Sequence, residues 1–173
     1  MTAYTYCPRC ATALVSGLRG DRGRLSCPAC DWVHWDNPVP VVAAIVERQG
    51  TVVLVRSQGW PEDWFGVVTG FLEKAESPAE AVLREVREEL GLEARLGGFI
   101  GLYPFERMNQ LIIAYHVEAH EGEIRLDETE LAACRQVPID RVRPWPTGTG
   151  YALADWLRSR GLTPEFLSFG KRS

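Results

Sequence analysis

No stretch of the 173 residues approaches the length of apolar chain needed to cross a bilayer. The first ten residues, MTAYTYCPRC, carry no apolar core of a secretory leader. Basic residues are not in excess: 19 Lys and Arg face 23 Asp and Glu, a formal net charge of −4. That balance gives no support to a general nucleic-acid-binding surface, and no Lys/Arg cluster marks the N-terminal segment. Long polar or repetitive tracts are also missing, while 46% hydrophobic residues suffice for a core. These absences predict a soluble, cytoplasmic protein with no membrane partner. Its length fits one ordinary domain plus a small module.

Cysteine is sparse but patterned. Four of the five cysteines form Cys7-Pro8-Arg9-Cys10 and Cys27-Pro28-Ala29-Cys30, separated by 16 residues. Two such knuckles at this spacing read as a zinc ribbon, four thiolates around one structural Zn²⁺. The competing use is a pair of disulfides, favoured in a secretory context, so the missing leader turns the expectation to zinc. His34 is an alternative ligand by proximity, and Cys134 reads as an inert packed thiol. The intervening SGLRGDRGRLS is glycine-rich and polar. Metal binding rather than a core is therefore expected to fold residues 1–36. Trp32 and Trp35 could stack on a base, but packing the ribbon against the next domain is the more common use for such aromatics.

Asp36-Asn37-Pro38 marks a turn and the start of a second unit, residues 37–163. Residues 39–46 form an apolar run typical of a strand buried on both faces, and Gln49-Gly50 turns it into a second strand over 51–55. A loop with Trp60 and Trp64 follows, then a short strand over 65–69. Further strands are expected over 97–103, 111–117 and 124–126. Residues 104–109 form a loop between two of them, Glu121-Gly122 a turn, and residues 127–134 a polar turn or short helix. A last helix over 151–160, stopped by Gly161, buries Leu153, Trp156 and Leu157. Residues from 162 onward, with 164–173 as a C-terminal tail, are expected to be loosely ordered.

The stretch that organises the rest is residues 70–92, GFLEKAESPAEAVLREVREELGL. It reads as a loop, a capped helix and a stop. Ser77, Pro78 and Glu80 make a capping box, and Gly91 is placed to end the helix in a left-handed conformation. Ala79, Val82, Leu83, Val86 and Leu90 fall on one stripe. Glu85, Glu88 and Glu89 project from the side of the helix, with Arg84 and Arg87 as counter-charges. A solvated salt-bridged face is one reading of these charges; a carboxylate nest for a hard divalent cation is the other.

Spacing decides between the two. Gly70, Glu76, Arg84-Glu85-Val86, Glu88-Glu89 and Gly91-Leu92 resemble the Nudix box at every defined position, with chance odds below ~10⁻⁷ per chain from average residue usage. The Nudix resemblance implies an α/β/α sandwich with a mixed sheet, preceded here by the zinc ribbon. It implies hydrolysis of a nucleoside diphosphate derivative with Mg²⁺ or Mn²⁺, chemistry that suits oxygen ligands and an activated water. It assigns metal to Glu85, Glu88, Glu89 and the carbonyl of Gly70, an orienting role to Arg84, and a bracing role to Glu76. Glu88, Glu89 and downstream carboxylates all qualify as general base.

Residues 7–160 further resemble the NADH pyrophosphatase branch. Thr129-Glu130-Leu131 looks like its downstream segment, which gives Glu130 a part in the metal site, and Gly148-Thr149 looks like the start of its last helix. Tyr103-Pro104-Phe105 matches only part of its substrate signature, so NADH, NAD⁺, FAD and ADP-ribose stay open as substrates. Trp60, Trp64, Tyr103 and Phe105 are the candidate substrate-binding aromatics, with ordinary packing at a strand end as the alternative for Tyr103 and Phe105, and the resemblance implies a homodimer. Two alternatives remain: a zinc-ribbon nucleotide- or RNA-binding regulator, and removal of an NAD-type cap from RNA.

Overall fold

A computed structural model describes residues 4–120 and 122–168. Glu121 of the expected Glu121-Gly122 turn, and the tail beyond residue 168, lie outside the described residues. The chain divides into two compact units with the boundary between Pro38 and Val39.

The first unit is a three-stranded antiparallel sheet of β1 (Val15–Arg19), β2 (Arg22–Ser26) and β3 (Val33–His34). Its buried side chains are few, chiefly Cys7, Ser26 and Cys27. The cysteine sulfurs converge instead: Cys7 to Cys30 is 3.6 Å, Cys10 to Cys27 3.5 Å and Cys10 to Cys30 3.9 Å. These separations are far too long for disulfides. They match a tetrahedron of zinc–sulfur bonds about 2.3 Å long, whose sulfurs lie about 3.8 Å apart. The backbone N–H of Arg9 points at Cys7 Sγ and that of Ala29 at Cys27 Sγ, each at 3.4 Å, so each knuckle is built to hold a thiolate. Hydrogen bonding to Thr12 draws the Cys10 thiol down to about 6, while burial and the neighbouring thiols push Cys30 up. His34 is not part of the set; it stacks on Trp32 at 6.1 Å and faces Asp36. Trp35 is half exposed beneath Arg24.

The second unit is built on β4 (Val39–Arg48), whose six residues from Val41 to Val46 are all buried. A strand buried on both faces needs an unbroken apolar run, and β4 is covered on both. Val42, Ala44 and Val46 face α1 (Pro78–Leu90), and Ala43 and Ile45 face α2 (Thr149–Ser159). The same alternation runs through β5 (Thr51–Ser57), with Val53 and Val55 toward α1, and Val52 and Leu54 toward α2. Gln49 and Gly50 both adopt positive φ, the requirement of the tight hairpin turn joining β4 to β5.

The other strands are β6 (Val68–Phe71), β7 (Ala94–Phe105), β8 (Gln110–Ala119) and β9 (Leu131–Pro138). The sheet order is β7-β8-β4-β5-β9, with β6 pairing the first half of β4. The β4–β8 pair is parallel and all the others antiparallel, so the sheet is mixed, between two helices: an α/β/α sandwich.

Several local expectations change. The strand expected over 65–69 lies at 68–71, which puts Gly70 inside β6 opposite Val42 rather than in a loop. Residues 124–126 form no strand; Arg125 N–H donates to the Leu90 carbonyl while Ile124 and Leu126 pack on the α1-side core. Only 128–130 of the expected polar turn is a turn, and Leu131 starts β9, which pairs with β5 as a sheet edge. Its closing Pro138 is tolerated because edge strands need fewer donors. The segment from 162 to 168 is not loose. Leu162 packs on the α2-side core, Leu167 N–H donates to the Pro144 carbonyl at 2.8 Å, and Glu165 pairs with Arg143.

Candidate functional site

The helix that carries the acids begins as its sequence requires. Ser77 Oγ accepts from the Glu80 N–H, Glu80 accepts from the Ser77 N–H at 3.0 Å, and Pro78 opens the first turn. Gly91 closes it at φ 65°, its N–H donating to the Arg87 carbonyl. Val82, Val86 and Leu90 are fully buried as expected, with Ala81 in place of Ala79, which is only half-buried.

The three glutamates do not behave alike. Glu85 and Glu89 are 9% and 6% exposed, the only buried charged side chains among the described residues. They lie on the flank of the core stripe, one turn apart. Glu88 stands half exposed outside them. Arg84 ties the group together. Its Nε and Nη2 grip Glu76 at 2.8 and 3.0 Å in a two-pronged pair, and Nη1 donates to both Glu85 and Glu88 at 2.8 Å. Nη2 also reaches the Phe71 carbonyl at 3.2 Å, joining helix to β6. Glu76 is held below the ordinary carboxylate range by that arginine.

Gly70 leaves the space that the Glu85 carboxylate fills. A Cβ there would lie 1.8 Å from Glu85 Cδ and 1.9 Å from its Oε1, so the carboxylate sits directly over the strand. Glu85 is pushed up by burial, against the pull of Arg84. Glu89 is pushed up to about 8, by burial first and then by the charges of Glu85, Glu130 and Asp127. Its Oε2 is buried with no hydrogen-bond partner. An orphaned carboxylate oxygen amid other carboxylates is costly unless a cation or proton joins it, and the all-oxygen donor set suits Mg²⁺ or Mn²⁺. The cysteines are the one set of three or more potential ligands, among the described residues, whose atoms all lie within 4.8 Å of one another. The carboxylates are drawn apart, with Glu88 and Glu85 leaning on Arg84.

Glu130 enters from the turn before β9, and its charge acts on both Glu85 and Glu89. Asp127, which the sequence reading passed over as a metal-site residue, acts on Glu89 as well. It accepts from Thr129 N–H and Oγ1 at 2.8 and 2.6 Å, and this Asp-x-Thr turn signature is the sequence signal that was available for it.

The aromatics are divided. Trp60 and Trp64 stand nearly half exposed on their loop, with Trp60 lying over Gly66. Tyr103 and Phe105 pack on the α2 side of the sheet, opposite the face that carries Glu85 and Glu89. The Tyr103 hydroxyl donates to Asp155 at 2.8 Å, and Phe105 lies against Gly148 and beside Ile112.

Comparison with known proteins agrees with this architecture. The NUDIX domain model matches residues 36–157. NAD-capped RNA hydrolase NudC of Vibrio vulnificus (strain CMCP6) is 28% identical over 145 residues, 83% of this chain and 55% of the relative. NudC of Pseudomonas aeruginosa (strain LESB58) is 30% identical over 142 residues, 82% and 50% respectively. The chain thus spans about half the length of the curated relatives it matches. Among solved structures, a NUDIX hydrolase from Nitrosomonas europaea superposes with a TM-score of 0.74 at 20% identity, covering 95% of this chain and 97% of that one. A UDP-X diphosphatase gives 0.58 at 23%, covering 82% and 70%. With a capped box helix, a mixed sheet between two helices and a domain match over most of its length, the chain belongs to the NUDIX domain family.

Proposed function

We propose that the protein is a Mg²⁺- or Mn²⁺-dependent pyrophosphohydrolase. It cuts the diphosphate of a nucleoside diphosphate derivative, a dinucleotide such as NADH, NAD⁺ or FAD, or ADP-ribose, into two monophosphates. The observation that carries the reading is the pair of buried carboxylates, Glu85 over Gly70 and Glu89 with an oxygen lacking any partner. Glu85, Glu89, Glu130 and the Gly70 carbonyl are the donors that would hold the metal, with Glu88 at the rim. When bound, such an ion neutralises the diphosphate and lowers the pKa of an attacking water. Arg84, itself braced by Glu76, keeps Glu85 and Glu88 in place without taking up a donor position. Trp60 and Trp64 are exposed enough to stack on a nucleobase.

The name of the NudC relatives adds a second substrate of the same chemistry, an NAD-type cap on RNA. Unpaired cysteine thiols suit the reducing cytoplasm. The exposed Leu96, Phe99 and Leu102 on the sheet-edge strand β7 suit a homodimer. The test is turnover of NADH, NAD⁺, FAD, ADP-ribose and NAD-capped RNA, with product identification, for the wild type and Glu89→Gln. Two monophosphates from one of them, lost in the variant, is the expected result. Nucleotide binding by calorimetry with no turnover at any Mg²⁺ or Mn²⁺ concentration would favour the regulatory binding protein instead.

A further inference from the structure

Glu130 differs from Glu85 and Glu89 in that no helix or strand holds it. It sits in a turn, and a turn keeps a side chain in place only if its backbone is pinned. On one side the pins come from the box helix: Arg125 N–H donates to the Leu90 carbonyl at 2.8 Å, and Asp127 N–H to the Glu89 carbonyl at 3.1 Å. Within the turn, the Asp127 carbonyl accepts from the N–H groups of Glu130 and Leu131 at 3.1 and 2.8 Å. On the other side Leu131 pairs with Ser57 at the end of β5, and Gln58 supplies the hydrogen bonds that reach back into the turn. Gln58 N–H donates to the Glu130 carbonyl at 2.7 Å, and its Nε2 donates to the carbonyls of Glu128 and Leu131 at 2.9 and 3.2 Å. The β5–β9 register shifts between Arg56 and Ser57, and such a bulge re-aims the residues beyond it. Gln58 is itself exposed, so it fills no core space.

We propose that Gln58 is a positioning residue that fixes the Glu128–Glu130–Leu131 backbone and so presents the Glu130 carboxylate to Glu85 and Glu89. This rests on the reading of Glu130 as a metal donor. Gln58 touches neither metal nor reacting atoms; it preorganises a donor that would otherwise move with its turn. Partners of this outer kind change metal affinity by about 10–100-fold when removed.

The test is a double-mutant cycle on the zinc-loaded full chain, reading Mn²⁺ affinity by electron paramagnetic resonance without substrate. Gln58→Leu keeps the size and removes both side-chain bonds. It should weaken Mn²⁺ binding about tenfold while leaving the Mn²⁺-free melting curve in place. In a Glu130→Gln background the same change should have no further effect, because the donor it positions is gone. Wild-type affinity in Gln58→Leu, or an equal loss in both backgrounds, would overturn the proposal. If Glu130→Gln alone leaves Mn²⁺ binding unchanged, the donor role of Glu130 fails and the proposal with it. Hydrolysis itself is tested separately through Glu89→Gln.

Discussion

Glu89 shows how one buried carboxylate links stability to chemistry. Its folded pKa of about 8 lies above the ordinary 4.5, so between those values the folded chain keeps a proton that the unfolded chain releases. Stability of the metal-free protein therefore falls as pH rises through that window and levels off above it. Glu89→Gln removes the titration. Chemical denaturation without added Mg²⁺ should find the variant more stable by about 1–3 kcal/mol at pH 8, the cost of an unsatisfied buried polar group, and nearly equal to wild type at pH 4.5. Its Mg²⁺-dependent turnover should fall at least about 10²-fold, the scale of losing a preorganised electrostatic group. A folded variant with full turnover would sink the metal-donor reading. Gly70→Ala separates the same two properties from the other side. The three atoms nearest the added methyl all belong to the end of the Glu85 side chain, which can swing away. Melting should shift little, whereas Mn²⁺ affinity and turnover should both drop. Unchanged metal binding would mean that Glu85 is not held where a donor must be.

At the level of elements, α1 has two jobs that its sequence keeps apart by angle. Val82, Val86 and Leu90 bury one stripe, and Glu85 and Glu89 occupy the flank next to it, where the sheet is close enough to desolvate them. The cap sets where that helix starts and hence where the acids stand. Ser77→Ala should cost about 1 kcal/mol in equilibrium unfolding, the usual loss for an N-cap side chain. Leu90→Ala should cost about 2–5 kcal/mol, since it opens a cavity among the α1-side residues. A smaller loss for Leu90→Ala than for Ser77→Ala would show that packing is not what holds the helix to the sheet.

At the level of the molecule, the two units hold together for different reasons. Residues 39–168 have a core on both faces of the sheet, while the N-terminal unit has little buried beyond its own cysteines. Purified protein should hold about one zinc per chain, bound by Cys7, Cys10, Cys27 and Cys30. Stripping it with a thiol-reactive agent and chelator should collapse the amide NMR signals of residues 4–38 and leave those of β4 and β8 dispersed. Dispersed signals from 4–38 after metal loss, or metal analysis that finds no zinc, would remove the metal from the account of its folding.

What the sequence determined by itself was local. The Ser77–Glu80 cap, Gly91, the Gln49-Gly50 turn, the apolar β4 and the cysteine spacing each act through near neighbours or strict periodicity, and each stands in the structure as its residues imply. Tertiary structure decided what depends on distant partners. Leu131–Pro138 has no strong alternation and becomes a strand only by pairing with β5. The segment from 162 to 168 is ordered because Pro144 and Arg143 lie within reach of it. The equal-looking glutamates at 85, 88 and 89 separate only when the sheet covers two of them and leaves the third half exposed. Asp127 and Gln58 carry no motif that spans the distance to the box. Burial and long-range hydrogen bonds are properties of the packed chain, and no window of sequence contains them.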